Sequence, residues 1–109
     1  MSPTERTLAE CKRRGWPCQV VERFCIYSKR RIDLFGIIDI LAITPTGILG
    51  IQATSGTNHS ARVAKADEEP RLLAWLRAGG RFAVWSFAKR GAKGKRKLWH
   101  LREDERWVS

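Results

Sequence analysis

The chain has 109 residues, with 21 Lys plus Arg against 11 Asp plus Glu and a net charge of +10. That length sets one small domain over 1–109, which buries only about 60–70% of its unfolded surface, so that a homodimer would extend its core. An apolar content of 43% with four prolines excludes a disordered chain. No apolar run reaches the ~18–20 residues of a spanning helix, and no membrane partner is expected.

The charge is unevenly placed. Residues 1–31 carry eight basic and three acidic groups, residues 32–88 five of each, and residues 89–109 eight and three again. A neutral middle between two basic ends points to a polyanionic partner, as a phosphate-gripping domain needs. Cys11, Cys18 and Cys25 are odd in number and lack metal-site spacing. With no signal peptide in view, they read as buried free thiols of a cytoplasmic protein.

Ser2-Pro3-Thr4-Glu5 predicts a helix start, with serine as N-cap, proline first in the helix and glutamate three residues after the cap. The helix should run to Arg14 and stop at Gly15. Residues 18–25 read as one strand and 35–43 as a second, apolar on both faces and therefore central and covered on both sides. Thr44-Pro45-Thr46-Gly47 is a turn, and 48–54 a third strand antiparallel to the second. Gly56, Thr57, Asn58 and Ser60 mark a loop and cap before a helix over about 60–69. Pro70 starts a second short helix that Gly79-Gly80 ends. Residues 81–88 form a fourth strand, parallel to the third through the helical crossover, and 98–102 a last strand or a frayed edge. The fold class is α/β, an α+β mixed sheet with helices on its faces. Trp75 and Trp85 fall on apolar faces and read as core.

Asp39 lies among Ile37, Ile38, Ile40 and Leu41. A carboxylate in an apolar strand is costly unless it is paired or bound to a metal. A salt bridge to an arginine is one resolution; a metal site is the other. Counting outward from the 45/46 turn puts Asp39 opposite Gln52, on one face, with Thr54 at the same parity. Glu10 on the first helix is a further acid within reach, and also a candidate for a surface pair with Arg14. Oxygens from Asp39, Gln52, a carbonyl near Ala53 and water suit Mg²⁺ or Mn²⁺. Asp33 reads as structural, holding Arg31 or capping a turn.

On these residues the chain resembles the PD-(D/E)XK nuclease superfamily, which includes Holliday-junction resolvases, restriction endonucleases and small phage-type nuclease domains. The resemblance covers about 4–102 and implies a restriction-endonuclease-like core: a helix with an acid, a three-stranded meander, helices, then further strands. Glu10 matches the first acid, Asp39 the aspartate, and Gln52-Ala53-Thr54 the (D/E)-x-K motif. Gln52 replaces a carboxylate and Thr54 the lysine that stabilises charge. The resemblance implies metal-dependent phosphodiester hydrolysis of nucleic acid, DNA ahead of RNA, with Lys65 or Arg62 supplying the missing basic group. Lys29, Arg30, Arg31 and the run Lys93, Lys95, Arg96, Lys97 are the expected phosphate contacts. The competing reading is a non-catalytic nucleic-acid-binding module on the same fold, and a third is a basic structural protein unrelated to nucleases.

Overall fold

A computed structural model describes residues 1–108. Helix α1 spans Pro3–Arg13. Its N-cap is Ser2, whose Oγ accepts the Glu5 N–H at 3.1 Å while donating to the Glu5 carboxylate. Its end is a Schellman turn: Gly15, at φ 78°, donates to the Lys12 carbonyl and Trp16 to that of Cys11.

The expected single strand over 18–25 is two strands. β1 (Cys18–Val20) joins the main sheet. β2 (Arg23–Cys25) leaves it and pairs antiparallel with β3 (Arg30–Ile32), forming a separate two-stranded ribbon. The expected strand over 35–43 is also shorter. β4 is Ile40–Thr44, preceded by a turn in which Phe35 and Gly36 both take positive φ, 55° and 74°. β5 (Gly47–Ser55) runs antiparallel to β4 in the expected register, Ile40 facing Ile51.

After β5 come a 3₁₀ turn (Gly56–Asn58), α2 (His59–Glu68) and α3 (Pro70–Arg77). They cross to β6 (Arg81–Arg90), parallel to β5 as the crossover requires. β7 (Leu98–Arg106) returns antiparallel. Over the described residues the fold is α+β: a mixed five-stranded sheet, ordered β1-β4-β5-β6-β7, the β2–β3 ribbon and three α-helices. Among the described residues no helix is long and apolar enough to cross a membrane.

The sheet divides the core. On one side Cys11 of α1 packs with Ile40, Ala42, Ile51 and Trp85. On the other, Ala66 of α2 and Leu72 of α3 pack with Ile38, Phe82 and Val84. Strand β4 is internal to the sheet and meets both cores, Ile40 and Ala42 on one side and Leu41 on the other; its far end is open, where Ile43 and its cross-strand partner Ile48 are exposed. Of the three free cysteines only Cys11 is buried, which pushes its thiol up to about 12; Cys18 and Cys25 are half-buried.

Candidate metal and nucleic-acid site

Asp39 immediately precedes β4, but its backbone is already bonded on both sides. Its N–H donates to the Ile51 carbonyl at 3.0 Å and its carbonyl accepts from Val21 N–H at 2.9 Å. This double anchoring fixes the carboxylate against the Gln52 position. The Ala53 N–H reaches both Asp39 carboxylate oxygens at 3.2 Å, and Gln52 Nε2 donates to Asp39 at 3.4 Å and to Asp33 at 3.2 Å. The expected pairing of Asp39 with Gln52 on one face is therefore present.

Asp39 is 4% exposed. Burial pushes its carboxyl up to about 7, the Ala53 N–H opposes that, and the neighbouring Asp33 and Glu22 carboxylates add to the rise. Glu22, Asp33 and Asp39 each offer a carboxylate oxygen, and these oxygens lie within 4.8 Å of one another. Asp33 does not hold Arg31, as the sequence suggested. Arg31 Nη1 bonds Glu22 at 2.8 Å instead, and among the described residues neither Asp33 nor Asp39 has a cationic partner within salt-bridge distance.

These groups floor a cleft of about 460 Å³ at the carboxyl end of β5, walled also by Thr54, Arg62 and Lys65. Arg62 and Lys65 come from α2 and stand where a basic group was expected. Thr54 lines the cleft without an amine to offer.

Glu10 is not there. Its helix packs on the sheet face that holds Ile40 and Ile51, whereas Asp39 and Gln52 alternate onto the opposite face. Its carboxylate is taken by Arg13 and Arg14, which hold it down to about 2, and Arg14 extends the chain of pairs to Glu103 at 3.0 Å. The acids that reach Asp39 are Asp33, expected to be structural, and Glu22, which was not among the expected site residues. Its signal was slight: one acidic residue between Val21 and Arg23, inside a stretch that reads as a single strand.

The two basic groups expected to hold phosphates leave the sheet at one end. β1 runs in the direction of β5, and β6 is parallel to β5, so the β2–β3 ribbon and the 91–97 loop both emerge at the cleft end. Lys29, Arg30 and Arg31 lie on the ribbon, and Lys93, Lys95, Arg96 and Lys97 on the loop, one group on each side of the cleft in strand order.

The donor set fits a hard divalent cation. Three carboxylates converge, two of them without a cationic partner, and the most buried resists ionising alone. Comparison of the chain with protein-family models, with curated proteins and with solved structures finds no match.

Proposed function

We propose that the protein is a metal-dependent nuclease of the PD-(D/E)XK type, acting on DNA. The observation that carries this is the convergence of Glu22, Asp33 and Asp39 in a cleft flanked by two basic arms. The order of elements supports a restriction-endonuclease-like core: a helix, antiparallel β1, β4 and β5, two helices, then parallel β6.

Asp39, Asp33 and Glu22 would hold Mg²⁺ or Mn²⁺, with the Gln52 amide oxygen available if the amide turns over. A cation so held supplies a Lewis acid for the scissile phosphate and an acidified water. The chain's own part is to fix the carboxylates through Ala53 and Gln52, to set Lys65 and Arg62 against developing negative charge, and to grip the backbone with the two arms.

A second reading has its own support. The Gln52 amide already donates to two of the carboxylates, and Thr54 takes the place of the lysine. That combination suits a nuclease fold kept as a grip.

Mg²⁺ and Mn²⁺ titrated against branched and linear DNA, beside Asp39→Ala, separate the two. The nuclease reading expects metal-dependent cleavage that falls by about a thousandfold or more in the variant, roughly 4 kcal/mol of transition-state stabilisation. Tight binding without cleavage by the parent protein, under either metal, removes the enzyme and leaves the grip.

A further inference from the structure

The β2–β3 ribbon is built unlike the rest of the molecule. Strands of three residues paired only with each other are marginal on their own. This ribbon nevertheless exposes Phe24, Ile26 and Tyr27, with Tyr27 at its tip 92% exposed. The other aromatic rings are differently placed. Trp85 is buried, Trp99 lies under Arg6 and Lys89, and exposed Trp107 follows Arg106, which pairs with the first part of β6 at the far end of the sheet.

Between Arg23 and Ile32 there is no acidic residue. Arg23, Lys29 and Arg30 have no ion-pair partner among the described residues, while Arg31 is tied to Glu22 at the cleft. Phe24 is the cross-strand partner of Arg31 and so shares its face of the ribbon, the face turned to the cleft. Apolar rings set among unpaired cations repel a second copy of the same tip. They match a polyanion that also offers flat apolar faces, which is a nucleic acid with unstacked bases. An intact duplex covers those faces and offers the ribbon only phosphates.

Resting on the nucleic-acid reading of the cleft, we infer that the β2–β3 ribbon is a base-stacking wing. It directs DNA that carries unpaired nucleotides beside a paired segment into the Glu22–Asp33–Asp39 cleft. Tyr27 stacks on an unpaired base, Phe24 supports the strand nearer the cleft, and Arg23, Lys29 and Arg30 hold the flanking phosphates.

The test is fluorescence anisotropy in EDTA, so that no cleavage enters the reading. Three labelled DNAs of equal length are compared: a full duplex, a duplex with an unpaired flap, and a single strand. The parent protein should bind the flapped DNA more tightly than the duplex. Tyr27→Ala should lower affinity for the flapped DNA by about tenfold, the scale of one lost base stack, and leave the duplex unchanged. Tyr27→Trp should restore the preference, and both variants should keep the parent's circular dichroism because the side chain touches little of the fold. Equal loss on all three DNAs, or no loss, overturns the wing. So does sedimentation showing that Tyr27→Ala turns a dimer into a monomer, since the tip would then be a contact between copies. Failure of the parent to bind any DNA in EDTA overturns this inference, while the nuclease reading stands or falls on cleavage in Mg²⁺ or Mn²⁺. A preference for unpaired DNA that Tyr27→Ala abolishes, without cleavage in Mn²⁺, removes the nuclease and keeps the wing.

Discussion

Glu10 and Asp39 are carboxylates on opposite sides of one sheet, in opposite electrostatic circumstances. Glu10 sits over the α1 side, bonded by two arginines, and its carboxyl is held down to about 2. Asp39 lies on the other side, buried near two more carboxylates, and is pushed up to about 7. A carboxylate matched to cations is finished with its electrostatics and serves the fold. One gathered with like charges in a cleft leaves the fold with an uncompensated demand, which a bound cation would meet.

The two carboxylates differ most in how metal-free stability depends on pH. Asp39 keeps its proton longer folded than unfolded, so its ionisation works against the fold. That cost grows as pH rises from about 4 to about 7 and is complete above 7. Asp39→Asn keeps an oxygen for the Ala53 N–H and removes the charge. In EDTA at pH 8 it should stabilise the protein by about 2–4 kcal/mol, read by urea unfolding, and flatten the profile above pH 5. A variant no more stable than the parent would mean that Asp39 is already compensated.

Arg14→Ala probes the other side. Arg14 joins Glu10 to Glu103 and lies 4.9 Å from the rings of both Trp16 and Trp85, so its loss should cost about 1–2 kcal/mol at pH 7. The smallest effect is that of Glu10→Gln, a loss of about 0.5–1 kcal/mol. Its sign is opposite to that of Asp39→Asn. The Glu10 contribution is fully present above its unfolded value near 4.5 and lost as pH falls toward 2, so parent and variant should converge in acid. Thermal melts from pH 2 to 7 read this directly.

What the sequence made legible follows from how local each signal was. The register of Asp39 on Gln52 could be counted because Thr44 to Gly47 is a tight turn with proline and glycine in place. The caps at Ser2 and Gly15 were visible for the same reason. The β2–β3 ribbon was hidden because its turn, Ile26 to Lys29, has none of the usual turn residues except Ser28, and Lys29 takes φ 55° without being glycine or asparagine. With the ribbon hidden, Glu22 and Asp33 could not be seen to meet, since it is the ribbon that folds the chain back. β7 was underestimated because Arg102 to Arg106 is wholly charged; on an edge strand such residues pair by register and face water.

Pro3 and Thr4, the first turn of α1, also line the cleft, while the described end of β7 lies beside the start of β6 at the far end of the sheet. The molecule therefore has one congested end and one open one. Any peptide joined ahead of Ser2 begins at the mouth of the site and competes for the space a ligand would use. A peptide joined beyond Val108 begins a sheet's length away, and is the safer handle for immobilising or labelling the protein.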